Sequence, residues 1–171
     1  MQGWENFYFL IGSAGAGLIG LLFVVVTLTS GLERSQTSRG AKFFLTPTAI
    51  HFAVVLTLSG VAVAPELPTL VTGAIFGLVS LGGLAFAIRA SIGIRTPPPG
   101  TEAPHWSDFW MYGAVPAVIY AAICAASAVL GSGAGWAAPV IAGLLMILLL
   151  VSIRNAWDLV TWIAPRRKSG A

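Results

Sequence analysis

The chain has 171 residues, 57% hydrophobic and only 9% charged, with a formal net charge of +3. Soluble domains average roughly 45–50% apolar and 25% charged residues, so a soluble core is excluded as the destination for this much apolar surface. The basic balance does not point to nucleic acid, which requires basic residues gathered on one face; here they follow the connections between apolar runs.

A helix that crosses a bilayer needs about 20 residues nearly free of charge, and its backbone must be hydrogen-bonded within the segment. Charge-free runs cover 6–32, 43–65, 67–88 and 109–153. The last is too long for one crossing and is broken by Gly131-Ser132-Gly133-Ala134-Gly135, a composition that ends helices. The expectation is an all-α integral membrane protein, a single transmembrane domain over 1–171, built as a bundle of five transmembrane helices at about 7–30, 48–65, 69–91, 107–130 and 137–163.

The first segment carries only Glu5 ahead of its apolar run and no basic leader, so it reads as a retained helix rather than a removable signal. Thr46-Pro47 offers a polar cap and a first-turn proline for the second helix, and Pro68 the same for the third. Pro65-Glu66-Leu67-Pro68 between them is a tight turn. Ser107-Asp108 is expected to cap the fourth helix, and Pro116 to kink it by withholding the hydrogen bond that the Tyr112 carbonyl would accept.

All nine Lys and Arg residues fall on one side of the five-helix arrangement. Arg34, Arg39 and Lys42 occupy the first loop, Arg89 and Arg95 the third, and Arg154, Arg166, Arg167 and Lys168 the C-terminal end. Cytoplasmic loops are enriched in Lys and Arg, which predicts the N-terminus outside and the C-terminus in the cytoplasm. Trp4, Phe7, Tyr8 and Trp136 then sit at the outer interface, and Trp106, Phe109, Trp110, Trp157 and Trp162 at the inner one, as aromatic anchors in contact with membrane lipid.

Residues four apart share a helix face, and small ones let helix backbones approach closely. Gly12, Ala16 and Gly20 in the first helix, Gly73 and Gly77 in the third, and Ala117, Ala121 and Ala125 in the fourth are therefore the expected helix-packing positions. Ionisable residues deep in a membrane mark ion or proton pathways. Counting from Pro47 places His51 only ~6 Å into its helix, and Arg89 lies roughly 32 Å beyond Pro68. With Asp108, Arg154 and Asp158, these two are expected to form a polar cluster at the cytoplasmic side. The midplane is left with Thr57, Ser59, Ser80 and Tyr120, which are the positions that would line a pore.

No catalytic motif occurs: Gly12-Ser13-Ala14-Gly15-Ala16-Gly17 lies inside a membrane helix, without the strand and lysine of a phosphate-binding loop. His51 and His105 have no Glu or Cys at ligand spacing, and Cys124 is the single cysteine. The expectation is a chain that is not an enzyme and has no cofactor or metal. The first-helix pattern and the closing Arg154-Asn155-Ala156-Trp157-Asp158 resemble those of small bacterial membrane proteins, which implies a bacterial cytoplasmic (inner) membrane. The functional expectation is an accessory or scaffold subunit that packs through small-residue faces into a homo-oligomer or against other membrane subunits. The alternative is a homo-oligomeric passive channel for a small ion or solute.

Overall fold

The computed structural model describes residues 3–29, 46–96 and 105–163, with the side chains of 28, 29, 162 and 163 excepted. No strand occurs among the described residues, and five helices are long and apolar enough to cross a membrane. They are α1 (Glu5–Thr29), α2 (Thr46–Val63), α3 (Thr69–Arg95), α4 (Trp106–Gly131) and α5 (Ala137–Ile163). The expected helices are all present, with α1 and α2 each beginning two residues earlier than expected, and α3 running on to Arg95. The basic residues Arg34, Arg39, Lys42, Arg166, Arg167 and Lys168 lie outside the described residues.

Four helices form a ring, α2 against α3, α3 against α4, α4 against α5 and α5 back against α2; α1 packs extensively along α2 and also touches α5. One end of the bundle, the turn end, gathers the start of α1 and the α2–α3 and α4–α5 connections. There the Tyr8 hydroxyl donates to the Ala138 carbonyl at 2.8 Å, tying α1 to α5. At the same end α4 stops because Gly133, at φ +86°, takes a left-handed conformation that favours glycine. The amides of Ser132 and Gly133 return to Val129 and Leu130 at 3.1 and 2.9 Å.

The closest pairing is α3 with α4. Its cause is the face of α3 that carries Gly73, Phe76, Ser80, Gly83 and Ala87, all buried. A β-carbon on Gly73 would come within 2.8 Å of the Ser127 carbonyl oxygen and 3.0 Å of the Gly131 amide nitrogen, backbone atoms that cannot move aside. One on Gly83 would lie 2.6 Å from Tyr120 Cζ. Gly77 approaches less tightly, with Ser127 Cβ at 4.0 Å and the Cys124 thiol 3.8 Å from its carbonyl.

Between α1 and α2 the close approach uses Gly12, against Ser59 Cβ at 2.8 Å, and Gly15, against the Phe52 carbonyl at 3.3 Å. The expected Gly12, Ala16, Gly20 stripe therefore packs only at its first member. Ala16 and Gly20 are exposed, and nothing lies within 4 Å of where a Gly20 β-carbon would be. On α4 the buried face carries Pro116, Ile119, Tyr120, Ile123, Ala126, Ser127 and Leu130. Ala121 and Ala125 point away from the bundle and Ala117 is half-buried. Spacing of four identifies a shared face but not which face a neighbour occupies; the larger side chains settle that by burying more area.

Because its neighbours are backbone atoms, Gly73→Ala should destabilise the bundle by about 1–3 kcal/mol. Gly82→Ala, with open space around it, should stay within about 0.5 kcal/mol of the parent. Thermal unfolding of both variants in detergent checks this; equal shifts would mean the α3–α4 approach is not the constraint described.

Candidate functional site

Pro116 shapes the start of α4, and not by a simple kink. The helix opens with Trp106–Phe109, passes through a π-helical turn at Trp110–Ala114, and continues as α-helix over Val115–Gly131. In the wide turn the Val115 amide bonds to the Trp110 carbonyl, five residues back. The next amide in that register belongs to Pro116, which has none. The Met111 carbonyl is left without its helical donor, and the side-chain amide of Asn155 on α5 supplies one at 2.9 Å.

The exchange is reciprocal: the Tyr112 hydroxyl donates to the Asn155 backbone carbonyl at 2.9 Å. Asn155 is fully buried and Tyr112 nearly so. Arg154 pairs with Asp158 one turn along α5 at 3.0 Å, and its guanidinium also reaches Asn155 Oδ1 at 3.4 Å. Asp158, Asp108 and Arg154 all lie near enough for their charges to act on Tyr112. Gly113 sits where a β-carbon would be 3.0 Å from Ser91 Cα, so the π turn also seats against α3. The Arg95 guanidinium lies 3.9 Å over the Phe109 ring, joining the end of α3 to the start of α4.

The cap of α4 differs from expectation. His105, not Ser107, takes the cap position: its ring nitrogen accepts from the Ser107 amide at 3.4 Å, and Asp108 accepts from the His105 amide at 3.2 Å. Asp108 still supplies the acid that favours a helix N-terminus.

Of the expected polar cluster, Asp108, Arg154 and Asp158 gather at this end around Tyr112. His51 does not join them. It is fully buried, with Nδ1 2.8 Å from the Tyr120 hydroxyl, and so lies at the level of a residue expected at the midplane. Arg89 is exposed on α3. The depth of His51 follows from helix length: His51 lies about 7 Å into α2 and Tyr120 about 21 Å into α4. The bond between them sets the start of α2 some 14 Å back from that of α4. Pro47 marks the start of a recessed helix, not the bundle edge.

The four hydroxyl-bearing positions expected to line a pore do not share a surface. Thr57 is exposed, whereas Ser59, Ser80 and Tyr120 are buried. The hydroxyls of Ser91, Ser127 and Ser152 donate to the carbonyl four residues back, at 2.9, 2.6 and 2.7 Å. Ser59 Oγ, Ser80 Oγ and His51 Nε2 have no hydrogen-bond partner among the described residues. Buried unpartnered polar atoms cost about 1–3 kcal/mol each, which makes the centre of the bundle its least satisfied region.

Asn155 and Tyr112 were not nominated from sequence, and Tyr8, expected as an interfacial anchor against lipid, is instead fully buried; each of the three ties two helices together. The proline is the signal that could have found Asn155: a proline inside a helix leaves a carbonyl without a donor, and the single asparagine of α5 carries a side-chain amide able to supply one. Among the described residues there is no group of three side chains able to hold a metal ion. The knot at Met111, Tyr112 and Asn155 is mutually bonded and offers no free nucleophile; chemically it is a tether.

Asn155→Ala leaves the Met111 carbonyl without a donor in an apolar interior and should cost about 1–3 kcal/mol. Arg154→Ala removes a half-exposed i,i+4 pair and should cost no more than about 0.5 kcal/mol. Unfolding midpoints of the two variants in detergent separate these; a larger loss at Arg154 would overturn the assignment. No known protein family, characterised protein or solved structure matches this chain.

Proposed function

We propose that the protein is an accessory or scaffold subunit of a membrane assembly, crossing the bilayer five times with its N-terminus outside and its C-terminus in the cytoplasm. The orientation rests on the nine basic residues: Arg34, Arg39 and Lys42 between α1 and α2, Arg89 and Arg95 in the last turns of α3, Arg154 in the second half of α5, and Arg166, Arg167 and Lys168 beyond it in the sequence. A bacterial inner membrane is the setting that the resemblance to small bacterial membrane proteins favours.

The observation that carries the reading is the set of small residues that the bundle does not use. Ala16, Gly17 and Gly20 on α1 are exposed, as are Ala121 and Ala125 on α4. Only 22% of the most apolar window of α1 is buried, the smallest share of the five helices. Lipid gains nothing from a small residue, whereas another helix gains a close backbone approach. Large apolar residues flank the stripe, among them Phe9, Leu21 and Phe23, each more than 60% exposed.

The test combines two measurements. The protein extracted from native membranes in mild detergent should run as a homo-oligomer or with a stoichiometric membrane partner by native mass spectrometry. Ala16→Leu/Gly20→Leu should release the monomer while leaving its melting temperature within a degree or two, since nothing of the protomer packs there. A monomeric parent, or a double variant that stays assembled, contradicts the reading.

A further inference from the structure

At the centre of the bundle, His51 of α2, Ser80 of α3 and Tyr120 of α4 come together with hydrogen bonds still to be made. We infer that this point is a binding site for an ordered water molecule that bridges His51 Nε2 and Ser80 Oγ.

The register of the helices places the three groups side by side. The Tyr120 hydroxyl lies 2.8 Å from His51 Nδ1, and a β-carbon on Gly83 would lie 2.6 Å from the ring carbon that bears that hydroxyl. Ser80 precedes Gly83 by one turn on the same buried face of α3, and residues so spaced are about 5–6 Å apart. Ser59 is set apart from this point: it lies roughly 12 Å farther along α2 than His51, against Gly12 of α1.

His51 and Ser80 are fully buried, and each has one group without a partner among the described residues. If Tyr120 donates to Nδ1, neutral His51 carries its proton on Nε2, where nothing accepts it; if Nδ1 donates, Nε2 offers a lone pair with no donor. The buried Ser127 and Ser152 turn their hydroxyls back to the carbonyl four residues earlier. Ser80 forgoes that bond. Water donates and accepts, so it suits either histidine tautomer, and buried waters are held by two to four polar partners.

The surroundings select a ligand that is neutral and small. Phe52, Phe76 and Ile123, each within a turn or so of one of the three groups along its helix, are themselves fully buried, and interiors packed in this way leave few voids larger than a water molecule. The described carboxylates, Glu5, Glu66, Asp108 and Asp158, stand toward the ends of the bundle, so none balances a cation at its centre. A metal ion would need more ligands than one imidazole, and no group of three metal-binding side chains occurs among the described residues.

The site belongs to the protomer and does not depend on its assembly. Its test uses the full chain, labelled with 15N at histidine, in lipid bilayers, and measures magnetisation transfer from water to the imidazole nitrogens by solid-state NMR. His105→Asn removes the one other histidine and keeps a good capping residue, so the remaining signal is that of His51. Transfer to His51 Nε2 should appear at short mixing times in this background. It should fall roughly fivefold in Ser80→Ala, the loss of one neutral hydrogen bond, and recover in Ser80→Thr. It should be unchanged in Ser127→Ala, whose hydroxyl is already bonded to the Ile123 carbonyl. Absence of transfer to His51, transfer that Ser80→Ala leaves intact, or equal losses in Ser80→Ala and Ser127→Ala would each overturn the assignment; the first of these readouts needs no change at Ser80.

Discussion

A backbone carbonyl inside an apolar interior must find a donor, and the Met111 carbonyl is the one that α4 cannot satisfy by itself. Pro116 withholds the amide, the helix widens into a π turn at Trp110–Ala114, and Asn155 reaches across from α5. The arrangement at the basic end follows from that need. Asn155 must be buried and unencumbered to donate, which its neighbours allow: Arg154 turns to Asp158, and Tyr112 takes the Asn155 backbone carbonyl. The widened turn places Gly113 against Ser91, where any side chain would collide, so α3 is held to the same point. One missing amide thus organises the contact of three helices.

A second constraint is length. α2 has 18 residues against 27 in α3 and in α5, so it cannot match its neighbours at both ends. It meets α3 at the turn end through the short 64–68 connection and is recessed at the other. Recession carries His51 into the core, where its partner is Tyr120 from across the ring of helices. Gly83 on α3 makes room for the Tyr120 ring. The helices tightest together are therefore those whose small residues face bulky or backbone partners.

The five helices were legible in the sequence because charge-free length and the Gly131-Ser132-Gly133-Ala134-Gly135 break are local properties. Contacts between helices were less so. Gly73 and Gly77 were legible as packing positions, yet Ala16, Gly20, Ala121 and Ala125, with the same spacing, turned outward. Spacing is a property of one helix, whereas facing depends on where Tyr120, Phe52 and Ile123 bury their area. The depth of His51 was misjudged for a related reason: distance along α2 was counted from its own start, and the relative shift of helices is set only by tertiary contacts. The π turn needed Pro116 and Asn155 to be considered together, though they belong to different helices.

These constraints separate what the bundle uses from what it leaves free. The glycines that let helices touch are Gly12, Gly15, Gly73, Gly83 and Gly113; the small residues at Ala16, Gly17 and Gly20 hold nothing of the protomer. The central claim, that this unused stripe is an assembly surface, is tested most directly by oxidative cross-linking in native membranes. In a chain whose Cys124 is replaced by Ala, a single cysteine is placed at Gly20 or at Leu78, an exposed position outside any small-residue stripe. The account predicts a discrete cross-linked species from the Gly20 position and none from Leu78. Equal cross-linking at both positions, or none at Gly20, would contradict it.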